Sequence, residues 1–346
     1  MCTARSVRAQ LPISQIVPRS VLLLLVFSLS GCLGEAPREN PLDPLSAGFR
    51  DEGLVEGRVT GIYPPFEGRP GVRLRLSPLA GGAELATTTG SSGTFLLDGV
   101  PEGRYAIRAE GDGYGPAADT IEVGIGQTTD VTLQLNALPV VTSQALRTVH
   151  IERWFPDVPL FRLEVEADVT DPDRDADIEG VALVVPDLGF RAELTETEPG
   201  RYTATLDAES LPGGQVQSLL GFSHRVEATD QTGAVGLGSP MSLVRVIEQT
   251  PLTARPQGLE AVGQNPLTLE WRPASLPFSF TYRVEVFLVD GAGIPNRVEA
   301  IEDLPPSATT YTVQQALSPG DYFWTVWVTD ASGNRSRSKE AGFRIP

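Results

Sequence analysis

From Gly53 to the end of the chain, apolar residues return every second position in short runs closed by turn formers, and this limits the fold more than any other feature. Val72, Leu74 and Leu76 alternate with Arg73, Arg75 and Ser77; Tyr105, Ile107 and Ala109 with Ala106 and Arg108; Leu163, Val165 and Ala167 with Glu164, Glu166 and Asp168. A stripe of period two buries one face of a strand, and the 35 glycines and 29 prolines punctuate the chain too often for long helices. The expected class is all-β, with three tandem β-sandwich domains following a signal peptide and a disordered tether. A length of 346 residues allows two or three domains. The formal charge of −17 disfavours a protein that grips nucleic acid or a cationic binder of membrane surfaces.

The first residues read as an address. Arg5, Arg8 and Arg19, with no acid among them, lead into the apolar run Val21–Phe27, which is far shorter than the roughly 20 residues needed to cross a bilayer. Leu29-Ser30-Gly31-Cys32 follows and resembles the lipobox of bacterial lipoproteins. The resemblance implies that residues 1–31 are a signal peptide and that Cys32 is lipidated on sulfur, carrying palmitate-type acyl chains. It also implies anchoring in the cell envelope, with Leu33 after the cysteine favouring the outer membrane. Removing residues 1–31 takes three arginines and no acid, which moves the charge from −17 to −20. Cys2 and Cys32 are the two cysteines, so residues 33–346 have no thiol for a disulfide, a thiolate metal site or a cysteine nucleophile. Residues 32–52 show no apolar period and are read as a flexible tether, stiffened at its prolines.

Three units follow. Gly93-Thr94-Phe95-Leu96-Leu97-Asp98-Gly99-Val100-Pro101-Glu102-Gly103-Arg104-Tyr105-Ala106-Ile107 resembles the carboxypeptidase regulatory-like domain, which implies a transthyretin-like β-sandwich over residues 53–136 and an accessory rather than a catalytic role. Residues 137–250 end in Val226-Glu227-Ala228-Thr229-Asp230-Gln231-Thr232-Gly233, similar to the penultimate strand and turn of bacterial immunoglobulin-like domains, without the cysteine pair. Residues 251–346 resemble fibronectin type III, with Trp271 as core tryptophan and Leu317-Ser318-Pro319-Gly320-Asp321-Tyr322 leading into a late strand. Pro319-Gly320 stands one residue nearer Tyr322 than in the family pattern. Pro139 and Pro251 mark stiff joints, and an elongated rod of separate sandwiches is the expected shape.

Little in the sequence suggests catalysis. His150 and His224 begin no His-Glu-x-x-His motif and read as structural. Gly90-Ser91-Ser92-Gly93 lacks the spacing of a nucleophile elbow and reads as a hairpin turn, and Gly124-Ile125-Gly126 has Thr129 where a dinucleotide fingerprint needs glycine. Asp168, Asp171, Asp173, Asp175 and Asp177 bring five carboxylates together with only Arg174 among them, and calcium, which takes six to eight oxygens, would relieve their repulsion. The run is not an EF-hand: counted from Asp171, the sixth position is Ala176 and the twelfth Ala182. A solvated loop with Asp as turn former is the alternative.

In the third unit, Tyr322, Trp324, Val326 and Val328 form the core stripe if they are the sheet partners of Trp271. Phe323 and Trp327 then emerge on the opposite face as a platform for a partner. The function expected is a non-catalytic binding or spacer scaffold on a lipid anchor, needing no cofactor. The alternative is a carbohydrate-binding accessory lipoprotein, with a protein or polysaccharide as partner.

Overall fold

The computed structural model describes residues 43, 45, 46, 48, 49, 51–263 and 266–346. The signal peptide, Cys32 and most of the tether lie outside them. Regular structure among the described residues consists of strands and short 3-10 turns, and no helix is long and apolar enough to cross a membrane.

The first module contains β1 (Glu52–Gly61), β2 (Arg73–Pro78), β3 (Leu85–Thr88), β4 (Thr94–Pro101), β5 (Gly103–Glu110), β6 (Ala117–Val123) and β7 (Thr128–Leu135). They form two sheets, β4-β1-β7 and β3-β2-β5-β6. Each strand turns its alternate apolar residues inward, so that Val55, Val59, Leu74, Leu76, Phe95, Ile107, Val131 and Leu135 share one core. The Gly90–Gly93 turn does not join a hairpin, because β3 pairs with β2 whereas β4 pairs with β1. It carries the chain from one sheet to the other, and Gly93 at φ 78° supplies the left-handed backbone this needs. At Gly57 the parallel partner β7 comes so close that a Cβ would lie 1.8 Å from the Val131 carbonyl oxygen.

The second module contains β8 (Val140–Ile151), β9 (Leu160–Thr170), β10 (Ile178–Val185), β11 (Phe190–Glu198), β12 (Arg201–Asp207), β13 (Ser223–Asp230), β14 (Val235–Leu237) and β15 (Met241–Ser242). Their order β14-β13-β10-β11-β12-β9-β8 is one continuous path. It bends at bulges such as Glu196/Glu198 and encloses a core that includes Leu163, Val165, Leu183, Leu219 and Val226. The two ends of the path meet where Gln144 of β8 accepts the Val226 N–H of β13.

The third module contains β16 (Leu252–Arg255), β17 (Glu260–Ala261), β18 (Thr268–Arg272), β19 (Phe280–Val289), β20 (Pro295–Leu304), β21 (Thr310–Thr312), β22 (Gly320–Asp330), β23 (Arg335–Arg337) and β24 (Ala341–Ile345). The sheet β16-β18-β21 packs on the sheet containing β20-β19-β22. Tyr322, Trp324, Val326 and Val328 are buried as the alternation requires, but they are not sheet partners of Trp271. Trp271 lies on β18 in the opposite sheet and belongs to the same core, its ring edge-on to Tyr282 at 5.6 Å. The closer Pro-Gly does not prevent the tyrosine corner, since Tyr322 donates its hydroxyl to the Ser318 carbonyl at 2.8 Å. Tyr105 does the same to Pro101 in the first module.

The third core begins at Ile247, a few residues before Pro251. The larger departure from the expected string of separate sandwiches lies at the same boundary. β23 pairs on one side with β22 and on the other, in parallel, with β8, matching Arg335, Ser336 and Arg337 to Val149, His150 and Ile151. One hydrogen-bonded sheet therefore runs through the second and third modules. Pairing two edge strands removes a row of unsatisfied backbone groups from each. The seam is polar and buried: Asn334 Oδ1 accepts the Thr148 N–H at 2.9 Å and the Thr148 hydroxyl at 3.1 Å, and His150 stacks on Phe161 at 4.3 Å with Nδ1 3.2 Å from Ser336 Oγ. Salt bridges Arg335–Glu164 and Lys339–Asp157, both at 2.6 Å, flank it.

Candidate functional site

The acidic run folds into the loop between β9 and β10 and faces the junction of the first and second modules. Its five carboxylates do not converge as a group. Asp168 turns to Ser143, whose hydroxyl donates at 2.5 Å. Asp173 is taken by the first module, accepting from Arg69 Nη2 and from the Ala137 N–H, each at 2.7 Å. Asp175 accepts the Asp171 N–H at 3.2 Å and so shapes the loop. The calcium set of five is corrected accordingly: Asp171 and Asp177 meet, Asp168, Asp173 and Asp175 are engaged elsewhere, and the third member of the cluster is Asp230.

Register explains why Asp230 is there. β10 starts immediately after Asp177 and pairs antiparallel with β13, which places Ile178 opposite Asp230 at the end of β13. The Gln231 N–H donates to the Asp177 carbonyl at 2.8 Å and clamps the two loops together. Asp171, Asp177 and Asp230 are 5 %, 0 % and 0 % exposed. Each offers one ligand oxygen, all within 4.8 Å of one another. At that separation and an effective dielectric of about 20, two carboxylates repel by about 3 kcal/mol.

The hydrogen bonds divide these oxygens into braced and unbraced sets. Asp171 Oδ1 accepts the Asp173 N–H at 2.8 Å, and Asp177 Oδ1 accepts the Tyr63 hydroxyl at 2.6 Å. Asp171 Oδ2 and Asp177 Oδ2 are buried with no hydrogen-bond partner, as is Asn136 Oδ1. Asp230 Oδ1 accepts from the Thr232 N–H and hydroxyl and the Ala234 N–H, while its Oδ2 accepts from Asn136 Nδ2 at 2.5 Å. Burial pushes the Asp171 carboxyl up. Burial acts the same way on Asp230, but the hydrogen bonds from Asn136, Thr232 and Ala234 outweigh it and hold that carboxyl below the usual range. The Tyr63 phenol is raised, first by its hydrogen bond to Asp177. Arg174 lies over the Tyr63 ring at 3.8 Å and reaches Asp177 Oδ1 at 3.7 Å.

Phe323 and Trp327 do point away from the core stripe, but they do not form the open aromatic platform expected of them. Both are half-buried. Phe323 stacks on Phe287 at 4.8 Å, and Trp327 donates Nε1–H to Glu285 Oε2 at 2.7 Å beneath the guanidinium groups of Arg335 and Arg337. Trp327 lines a polar groove of about 390 Å³ with Arg147, Arg283, Glu302 and Arg335. Among the described residues the most exposed aromatics are Trp154 (64 %) and Phe155 (91 %) in the loop between β8 and β9, which the strand alternation does not mark, followed by Phe66 (44 %) in the β1–β2 loop. Two adjacent aromatics before Pro156 interrupt that alternation and were the available signal. Trp154, with Leu259 and Glu340, lines a second groove of about 400 Å³. Both histidines are interior, and burial pushes each imidazole down, with Glu152 opposing this at His150.

Residues 55–136 match the model of the carboxypeptidase regulatory-like domain, so the first module is a domain of that kind. Among curated proteins, the chain is 25 % identical over 255 residues to Halomucin of Haloquadratum walsbyi (strain DSM 16790 / HBSQ001), a span that is 67 % of this chain and 3 % of that protein. Among solved structures, it is similar to BcpA, the major pilin subunit of Bacillus cereus, at 12 % identity and TM-score 0.31, covering 82 % of this chain and 91 % of that one. It is likewise similar to the chicken CNTN1 FN1–FN3 domains at 11 % identity and TM-score 0.32, covering 85 % and 95 %. The fibronectin(III)-like modules of Clostridium thermocellum CbhA are 14 % identical at TM-score 0.29, covering 60 % and 94 %. By its own strand topology the chain is a multi-module β-sandwich protein, and its first module is carboxypeptidase regulatory-like.

Proposed function

We propose that this chain is a lipid-anchored, non-catalytic scaffold of the bacterial cell envelope that holds a stiff two-module body away from the membrane. The observation that carries the scaffold reading is the sheet shared by the second and third modules. A spacer needs a joint that resists bending, and a parallel strand pair backed by buried polar contacts resists it far better than a proline linker. Anchoring rests on Leu29-Ser30-Gly31-Cys32, and the outer membrane on Leu33. A non-catalytic role is supported by two interior histidines and by the absence of cysteine after residue 32. Replacing Cys32 by Ala and fractionating cells tests the anchor: the variant should leave the membrane on carbonate washing, and retention there would reject it.

A second reading, polysaccharide binding, is favoured by Trp154 and Phe155, adjacent in sequence and both exposed. Rings of this kind stack on sugar faces. Its test is co-sedimentation with cell-wall polysaccharide, which the Trp154→Ala/Phe155→Ala double variant should abolish.

A further inference from the structure

We propose that Asp171, Asp177 and Asp230, with Asn136, form a calcium site that fastens the first module to the second. Ligands of one calcium ion lie 2.3–2.6 Å from it, so two of them stand at most about 5 Å apart. The 4.8 Å spread of the three carboxylate oxygens meets that limit. Repulsion among acids is not itself a site. The observation that points to a ligand is the pair of orphaned oxygens, Asp171 Oδ2 and Asp177 Oδ2, on side chains 5 % and 0 % exposed. Buried carboxylate oxygens are normally paired or bound to metal.

The second junction provides an internal comparison. Modules two and three repeat one turn, Asp230-Gln231-Thr232-Gly233 and Asp330-Ala331-Ser332-Gly333. In each, the Asp Oδ1 accepts the N–H groups two and four residues on, leaving Oδ2 toward the preceding joint. At Asp330 that joint supplies a cation of its own, with Arg245 Nε 3.5 Å from Oδ2. At Asp230 it supplies Asn136, and among the described residues neither Asp171 nor Asp230 makes an ion pair. Arg174 reaches the Asp177 oxygen that Tyr63 already braces and leaves Oδ2 unpaired. A divalent ion fills at the first joint the place the guanidinium fills at the second.

The donors are all oxygens, which selects a hard cation. Two carboxylates from the β9–β10 loop, a third from the end of β13 and an amide make an irregular set, which suits calcium, whereas magnesium demands near-ideal octahedral geometry and keeps most of its water. The partners span the joint: Asn136 ends the first module, and Tyr63 and Arg69, on its β1–β2 loop, brace Asp177 and the neighbouring Asp173. Occupancy of the site therefore orders the first module on the second. The site stands independently of the lipid anchor.

The test uses the full-length chain in detergent, stripped with EDTA and titrated with calcium chloride by calorimetry, with magnesium chloride as a parallel titration. One saturable calcium site is expected, weakened at least tenfold in both Asp171→Asn and Asp177→Asn and changed less than twofold in Asp168→Asn. Circular dichroism of each variant checks its fold, and because Asn keeps the braced Oδ1 acceptor the native spectrum should persist. Calcium should also slow protease cleavage near residues 136–139 in the parent chain and not in Asp177→Asn. Absence of saturable calcium heat in the folded parent overturns the proposal, and so does equal loss in Asp168→Asn. Magnesium binding as tight as calcium overturns the choice of ion. If the parent ignores calcium while Asp171→Asn melts higher than it, the two carboxylates share a proton and the site is rejected.

Discussion

Asn334→Ala tests the seam between the second and third modules directly. The Asn334 side chain is 1 % exposed, and its amide does two things. Oδ1 takes the Thr148 N–H across the module boundary, and Nδ2 donates to Asp330 Oδ2 at 3.1 Å within the turn. Truncation leaves the Thr148 N–H buried without an acceptor, at about 1–3 kcal/mol. It also removes a hydrogen bond to a charged group, worth about 1.5–3 kcal/mol. The Thr148 hydroxyl keeps the Arg245 carbonyl at 3.1 Å, and Asp330 keeps its backbone donors, so the loss stops there. Some relaxation of the turn brings the total to about 3 kcal/mol. For a body of this size each kcal/mol moves the melting temperature by about 2–4 °C, which makes the expected fall on the order of 10 °C. Scanning calorimetry of the parent should show the second and third modules melting together, and the variant should melt lower and in two steps. A variant melting within about 2 °C of the parent in the same single step would refute the reasoning.

Gly57→Ala should destabilise the first module by about 3 kcal/mol, because its Cβ would stand 1.8 Å from the Val131 carbonyl oxygen and strands β1 and β7 have to part; urea denaturation followed by circular dichroism reads this. Tyr322→Phe should cost about 1 kcal/mol, the net value of the hydroxyl bond to Ser318, in the same measurement on the third module. Burial pushes Glu285 up, but Trp327, Arg297 and Arg283 outweigh it and hold its carboxyl below the ordinary value. The unfolded chain then binds the proton first, so this contribution is full above about pH 4.3 and is lost as pH falls through the depressed value. Glu285→Gln should flatten the acid limb of the melting curve. His224, fully buried with neither ring nitrogen partnered, is likewise lowered. Stability should begin to fall once the pH drops below about 6.5, and His224→Gln should remove that portion of the slope.

Period-two stripes revealed the strands because burial on one face imposes them, and the Phe95 and Tyr105 phrase revealed the first module because its corner needs that tyrosine. The seam of β8 with β23 was hidden, since parallel pairing between residues nearly two hundred positions apart leaves no local period. The carboxylate cluster was half legible. Asp171 and Asp177 are conspicuous in an acidic run, but Asp230 joins them only through the register of β10 on β13, and Asn136 only through the packing of two modules. Phe323 and Trp327 were placed on the correct face by alternation. Their cover was not visible, because it comes from Phe287, Glu285 and Arg337 on other strands.

The claim that the second and third modules form one stiff body is tested most directly by pulsed electron-electron resonance. Spin labels go at Thr197 and Ala292, exposed positions in the two modules, in a chain with Cys2 and Cys32 replaced. A body held by the β8–β23 pairing should give one narrow distance distribution, broadened by Asn334→Ala. A broad or multimodal distribution in the parent chain would show that the modules swing independently and would contradict the account.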